Sequence, residues 1–481
     1  MSTILPKEYS NLGFDPDALR DKYRQERDKR LRPDANNQYI EVKDQFANVV
    51  DDPYVEPGFE REPLTDEVDV VVIGGGFGGL MAGARFKEAG IKDIRIIEAG
   101  GDFGGTWYWN RYPGAQCDIE SYCYLPLLEE LDYIPKEKYS YAPEIFEHSQ
   151  RIAKAYDLYD GACFQTKVTE LEWSEEAARW IVKTDRDDRM RARFVVMSTG
   201  PLNRPKLPAI PGIEDFKGHT FHTSRWDYDY TGGDHSGNLT NLKDKVVAII
   251  GTGATTIQAA PYVGKHAKHM YVFQRTPSSV DVRGNKPTDP QWAKTLKPGW
   301  QRERRENFND MVIGRPVKED MVNDGWTEIF RNLASLVPKK EEQQISPEEV
   351  AVLAELADFK KMNGVRARVD QHVSDSETAE ALKPWYRQFC KRPTFNDEYL
   401  PTFERENVTL VDTSNSQGVE RIEENAVVAN GVRYEVDCII YATGFEVGTS
   451  YTRRSGFDIH GQGGIKLSDY WADGLRTLHG F

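Results

Sequence analysis

Two stretches of the chain share one hydrophobic pattern. Val68-Asp69-Val70-Val71-Val72-Ile73 and Val246-Val247-Ala248-Ile249-Ile250 are continuous apolar runs of strand type. Each runs straight into a glycine-rich turn and then a helix-like segment, and each is followed by a second strand, Ile94–Ile97 or Met270–Gln274. Two more apolar strands, Phe194–Met197 and Cys438–Tyr441, are followed by Thr199-Gly200 and Thr443-Gly444. Glycine tolerates backbone angles closed to other residues, so both ends read as points where the chain crosses between domains. From 280 to 388 the pattern turns helical, over Gln301–Asn309, Trp326–Val337 and Pro347–Met362. The third helix carries Ser346 as N-cap, Pro347 at the first position and Glu349 to close a capping box. Asn363-Gly364 predicts its end. Asn407–Asp412 is a strand that returns to the sheet. Ahead of the first run, Asp15-Pro16 starts a charge-dense helix that Arg32-Pro33 stops near Leu31. Residues 51–63 read as a linker. The extension up to residue 66 reads as a surface strap, an oligomer contact or solvated packing.

The glycines add chemistry. Gly74, Gly76 and Gly79 form G-x-G-x-x-G between a strand and a helix. The first glycine allows a tight turn, the second lets backbone approach a pyrophosphate, and the third lets helix and strand pack closely. The pyrophosphate then sits on a helix N-terminus. Glu98 follows 24 residues after Gly74, where a carboxylate accepts from ribose hydroxyls and repels a 2′-phosphate. The second unit runs Gly251, Thr252, Gly253 and on to Gln258, with Thr256 in place of the third glycine. At the same 24-residue interval it has Arg275, followed by Thr276. A cation there accommodates a 2′-phosphate, so the second nucleotide is expected to be NADPH.

Composition narrows the class. The 481 residues carry 62 basic and 77 acidic side chains, a net charge of −15, which argues against nucleic acid as a partner. Five cysteines, an odd number with no C-x-x-C, argue against a disulfide framework, a redox dithiol and a structural zinc. A reducing, cytoplasmic setting is expected. No metal site, no membrane span and no secretory signal are expected.

Between the two units lies FKGHTFHTSRWD, with Phe216, Gly218, His222, Trp226 and Asp227 spaced F-x-G-x-x-x-H-x-x-x-W-D. A second pattern, G-x-W-x-x-x-x-Y-P-G-x-x-x-D, falls on Gly105, Trp107, Tyr112, Pro113, Gly114 and Asp118. In these stretches the chain resembles the FAD- and NADPH-dependent (type I) Baeyer–Villiger monooxygenases, over about residue 67 to the end. The resemblance implies an α/β fold of two Rossmann-like dinucleotide-binding domains, the second inserted in the first, with a helical insertion. It places the FAD domain at 67–203 and 438–481, the NADPH domain at 204–279 and 389–437, and the insertion at 280–388. It implies that Thr106 to Trp109, Asp118 and Tyr124 lie along the flavin. It also implies that Lys391 contacts NADPH and that Arg392 is the catalytic arginine, oriented by Asp118. His222 and Trp226 are expected to couple the two nucleotide sites. The family continues past a segment like Leu478–Phe481. The implied activity is insertion of oxygen from O2 beside a ketone carbonyl through a flavin peroxide. The alternatives are an N- or S-oxygenating flavin monooxygenase, and a flavin-binding homologue without turnover.

Overall fold

The computed structural model describes residues 13–40, 42, 46, 49–336 and 346–480. Two sheets organise them. The larger has seven strands in the order Ile459–His460, Val168–Ser174, Arg179–Thr184, Arg189–Met197, Glu67–Ile73, Ile94–Ile97 and Ala162–Cys163. Its nucleotide-facing half, around Glu67–Ile73, is parallel. The second sheet is wholly parallel, in the order Val408–Asp412, His269–Gln274, Val246–Ile250, Cys438–Tyr441 and His219–His222.

The continuous apolar runs have a direct physical cause. Val247 and Ile249 pack into one buried cluster, with Trp226 and Val263. Ala248 and Ile250 pack into another on the opposite face, with Phe273 and Ile439. A strand covered on both faces has no solvent side, so polar residues never alternate. The first sheet is covered in the same way, Val70 and Val72 on one side and Val71 and Ile73 on the other.

Cys438–Tyr441 corrects the boundary placed at residue 438. It pairs with Val247–Ile250 on one edge and His219–His222 on the other, so it belongs to the second sheet. The crossing comes after it, at Gly444 (φ +77°), and Ile459–His460 is what pairs with the first sheet. The two crossing segments run side by side, bridged at Pro205 and Phe445, with Lys206 N–H donating to the Gly444 carbonyl at 2.9 Å.

The helical segment holds Trp300–Val312, Gly325–Leu336 and Pro347–His372. Val337, the expected end of the second helix, lies outside the described residues. The Ser346–Glu349 capping box is present. The third helix does not end at Asn363-Gly364 but runs ten residues beyond Met362, to His372. Its buried face continues through Val365 and Val369, and that packing outweighs the roughly 1 kcal/mol that an interior glycine costs. Val280–Asp281 and Thr394–Phe395 pair in parallel and close the neck of this insertion. In the N-terminal extension, Asp15 caps the helix Pro16–Arg30 through two backbone N–H groups, as its sequence predicts.

Candidate active site

The first glycine turn is built for backbone and nothing more. A Cβ on Gly74 would lie 2.3 Å from the Ser198 carbonyl oxygen, and one on Gly79 would lie 1.9 Å from that of Gly74. Gly76 is different, because an added Cβ would meet only the Gly105 Cα, at an ordinary contact distance of 3.6 Å. The helix Phe77–Glu88 starts there without a side-chain cap, which leaves its first N–H groups for an anion. Glu98 is buried and accepts from Gly75 N–H at 2.6 Å and Gly100 N–H at 2.8 Å. Burial pushes its carboxyl up. Gly74, Gly76, Glu98, Thr106, Trp107, Trp109 and Tyr124 line one cavity, and Trp107 Nε1 donates to the Tyr124 hydroxyl at 2.9 Å. Tyr108 is turned away, its hydroxyl donating to Asp52 at 2.6 Å. These features fit an anionic dinucleotide.

The second turn repeats the design. Gly251 has φ +106° beneath the Ala442 carbonyl, and Gly253 has no neighbour within 4 Å of an added Cβ. Thr256, in place of the third glycine, donates its hydroxyl to the Gly251 carbonyl at 2.8 Å and so closes the turn. Thr252 donates to the Thr276 carbonyl at 2.9 Å. Gly251, Thr252, Gly253, Arg275, Thr276 and Lys391 line a second cavity of about 830 Å³. Lys391 is half-buried, and its Nζ donates to the carbonyls of Thr276 at 2.8 Å and Thr252 at 3.3 Å. Burial, then the charges of Arg275 and Arg30, push its ammonium down to about 7.

Two residues expected on cofactor walls form a different group. Asp118 and Gln258 are not among the residues lining either cavity. Asp118 is buried, accepting from Arg283 Nη2 at 2.8 Å on one oxygen and from Arg392 Nη2 at 3.3 Å on the other. Gln258 accepts from the Tyr112 hydroxyl at 2.8 Å and donates to the Gln116 carbonyl at 2.9 Å, with Asp118 at 3.4 Å. It therefore ties the helix Ala254–His266, which follows the second glycine turn, to the segment that carries Asp118. Trp326, from the insertion, donates Nε1 to the Asp118 carbonyl at 2.9 Å. Arg392 stays 60% exposed, whereas Arg283 is 4% exposed.

The stretch around His222 joins the parts. His222 is buried, with Nε2 3.1 Å from the Gly444 carbonyl and Nδ1 accepting from Ser224 N–H. Those partners place the proton on Nε2. Burial, reinforced by Arg225, pushes the imidazole down to about 3, so it is neutral. Trp226 is buried, Nε1 donating to the Thr231 hydroxyl at 3.1 Å. Tyr228 donates to the Arg111 carbonyl at 2.6 Å, inside the flavin-side motif.

Sequence alone does not single out Arg283 or Arg225. Arg283 lies in no motif, so no local signal marks it. Arg225 has one, its place between His222 and Trp226. It lies 3.9 Å over the Trp109 ring, donates to the Asp51 carbonyl at 2.7 Å, and is pushed down to about 10 by burial.

A family model described as pyridine nucleotide-disulphide oxidoreductase matches residues 71–320. The chain is 56% identical over 469 residues to neopentalenolactone D synthase of Streptomyces avermitilis, covering 97% of this chain and 78% of that protein. It is 50% identical over 464 residues to a Baeyer–Villiger monooxygenase of Streptomyces coelicolor, covering 96% and 77%. The chain belongs to the Baeyer–Villiger monooxygenases. The structure of a polycyclic ketone monooxygenase from the fungus Thermothelomyces thermophila superposes with a TM-score of 0.89 at 41% identity, over 96% of this chain and 78% of that one. A further structural relative, 31% identical with a TM-score of 0.69, is a complex with FAD and NADP that covers 87% of this chain and 76% of its own. What this Baeyer–Villiger monooxygenase shares with the disulphide oxidoreductases is the paired dinucleotide architecture. All five of its cysteines are free, and burial pushes the Cys117 thiol up to about 12. No helix among the described residues is long and apolar enough to cross a membrane.

Proposed function

We propose that this monooxygenase uses FAD, NADPH and O2 to insert one oxygen atom beside the carbonyl of a ketone, with Arg392 as the catalytic cation and Asp118 as the residue that orients it. The balance is ketone, O2, NADPH and a proton in, and ester or lactone, water and NADP⁺ out. Bound FAD, reduced by NADPH, supplies the activation of O2. The cavity with Glu98 takes FAD, because a buried carboxylate suits ribose hydroxyls. The cavity with Arg275 and Lys391 takes NADPH, because two cations suit a 2′-phosphate.

The placement of Arg392 carries the residue-level reading. Its chain neighbour Lys391 lines the second cavity, and its charge acts on Tyr124, which lines the first. The ketone oxygen takes on negative charge as the carbonyl carbon is attacked, and a fixed guanidinium stabilises that charge. Asp118 meets the guanidinium at one Nη, which leaves the other N–H donors to the reaction.

The test is a panel of linear, cyclic and polycyclic ketones incubated with the enzyme, NADPH and air, with products identified by chromatography. Ring-containing ketones come first, because one relative is a polycyclic ketone monooxygenase. NADPH-dependent flavin bleaching followed by ester or lactone is the expected result. Bleaching with every equivalent of O2 recovered as peroxide, for all ketones, would overturn the reading. Oxidation of amines or sulfides in place of ketones would favour the N- or S-oxygenating alternative.

A further inference from the structure

We infer that the N-terminal extension forms a wall of the NADPH site and that Arg30, its last helical residue, is a specificity determinant for the 2′-phosphate. This rests on assigning the second cavity to NADPH.

The helix Pro16–Arg30 has no buried residue, yet the Arg30 side chain is only 13% exposed. It is covered because it reaches the second cavity, whose lining it shares with Arg275 and Lys391. Arg30 Nε donates to the Arg275 carbonyl at 2.9 Å. A few residues on, Gln38 Oε1 accepts from Arg275 Nη1 at 2.6 Å. The extension thus grips both the backbone and the side chain of the residue that the sequence marks for the phosphate.

The extension is anchored as well. Tyr39–Ile40 pairs with Leu207–Pro208, Arg32 donates to the Gln417 carbonyl at 3.1 Å, and Arg20 donates to Glu355 of the long helix at 2.9 Å. A wall held at three places positions a guanidinium without the entropy loss of ordering a free arm.

Charge decides what the wall faces. Arg30, Arg275 and Lys391 converge on one cavity. Of the acids nearby, Glu26 pairs with both Arg30 and Lys22, Asp34 pairs with Arg32, and Glu420 accepts from Gly431 N–H. Arg275 and Lys391 have no carboxylate within ion-pair distance among the described residues. Arg30 spends Nε and Nη1 on Arg275 and Glu26, and its Nη2 meets no acceptor among the described residues. This surplus of cations and open donors suits a phosphate monoester, which carries close to two negative charges at pH 7. NADH offers a hydroxyl at that position and gains little from it.

The experiment uses the full FAD-loaded chain and measures Kd by titration calorimetry for NADP⁺, NAD⁺ and adenosine 2′-monophosphate. The proteins are the unmodified enzyme, Arg30→Ala, Arg30→Lys, Glu26→Gln and Arg275→Ala, with FAD content and melting temperature as fold controls. A hydrogen bond to a charged group is worth roughly a ten- to hundredfold change in Kd. Arg30→Ala is expected to weaken NADP⁺ and adenosine 2′-monophosphate by about tenfold or more and leave NAD⁺ within about twofold. Glu26→Gln, which frees Arg30, is expected to tighten NADP⁺ alone, and it serves as the deciding variant if Arg30→Ala fails to fold. Weakening of NADP⁺ and NAD⁺ to the same degree in Arg30→Ala would overturn the inference and leave a merely structural wall. Normal NADP⁺ binding in Arg30→Ala with weakened binding in Arg275→Ala would overturn the inference but keep the cavity assignment. Normal binding in both would overturn the assignment itself.

Discussion

Asp118 holds two arginines at once, Arg283 at 2.8 Å on one carboxylate oxygen and Arg392 at 3.3 Å on the other. The two are not equivalent. Arg283 also donates to the carbonyls of Cys117 and Phe395, which locks it in place. Arg392 is mostly exposed, with a single bond to Asp118 and the Trp326 ring 5.9 Å away. Arg283 fixes the carboxylate, and the carboxylate holds Arg392 by one contact at the surface. One carboxylate therefore joins a locked cation to an exposed one, the one proposed above as catalytic.

The first prediction separates chemistry from binding. Arg392→Ala is expected to leave flavin reduction by NADPH and O2 consumption in place while ester formation falls by about 10²- to 10³-fold. Peroxide should appear in its place. Arg392→Lys should rescue little, because an ammonium lacks the planar fork. Stopped-flow absorbance for reduction, beside chromatographic ester yield, checks both halves. Ester at the unmodified rate in Arg392→Ala would remove this residue from the reaction.

The second concerns stability. Breaking a buried pair by removing one partner leaves an uncompensated charge and costs about 3–5 kcal/mol. Asp118→Ala and Arg283→Ala should therefore both lower the melting temperature clearly. Arg392→Ala should barely move it, because exposed ion pairs contribute about 0–1 kcal/mol. Calorimetric melting of the three variants is the check. Equal loss in all three would contradict the division of labour proposed for the arginines.

The third is a pH dependence with a definite sign. In the nucleotide-free protein the Lys391 ammonium is held down to about 7, mainly by burial. A bound 2′-phosphate favours the charged form and raises that value. Below pH 7 the amine is already protonated, so NADP⁺ affinity is fully present. As pH rises past 7, binding must draw a proton onto Lys391, and Kd should rise by up to about tenfold per unit. Kd from pH 6.5 to 9 in the unmodified enzyme and in Lys391→Gln gives the answer. The variant should bind weakly and show a flat profile across that range; a slope unchanged by the substitution would assign it to another group.

Local spacing made the nucleotide cradles legible, because a Cβ at Gly74, Gly79 or Gly251 would strike a backbone carbonyl and the strand–turn–helix order is contiguous in sequence. The capping box of Ser346 and Glu349 was legible for the same reason. The end of that helix was not, since Asn363-Gly364 is a local stop signal and the burial of Val365 and Val369 against distant segments overrides it. The strand Cys438–Tyr441 looked the same whichever sheet received it, because an apolar strand buried on both faces carries no address. The FAD-side and NADPH-side signatures gave no hint of Arg283, whose partners Cys117, Asp118 and Phe395 lie more than a hundred residues away along the chain. Nor did they show that the extension reaches Arg275, a contact made across more than two hundred residues.

The last prediction concerns the junction between the two sheets. The strand His219–His222 lies at the edge of the second sheet, and the chain from His222 onward touches the first domain at several places, Arg225 over the Trp109 ring among them. His222 reaches the carbonyl of Gly444, at the crossing between domains. Tyr228 reaches the carbonyl of Arg111, one residue before Tyr112, whose ring packs in the same buried cluster as Trp226. A change in how the NADPH domain sits is therefore expected to reach the segment that carries Trp107 and Asp118. Trp226→Ala is a poor probe, because emptying so buried a site costs about 3–5 kcal/mol and confounds coupling with unfolding. Tyr228→Phe is better, since it keeps the ring and removes one hydrogen bond, worth about 1 kcal/mol. It should keep FAD bound and NADP⁺ Kd unchanged while the ester formed per NADPH consumed falls and peroxide rises. The ratio of ester to NADPH consumed reads coupling directly, and a purely structural tyrosine would lower the melting temperature without moving it. An unchanged ratio in Tyr228→Phe, with a normal melt, would mean that the junction only holds the two domains together.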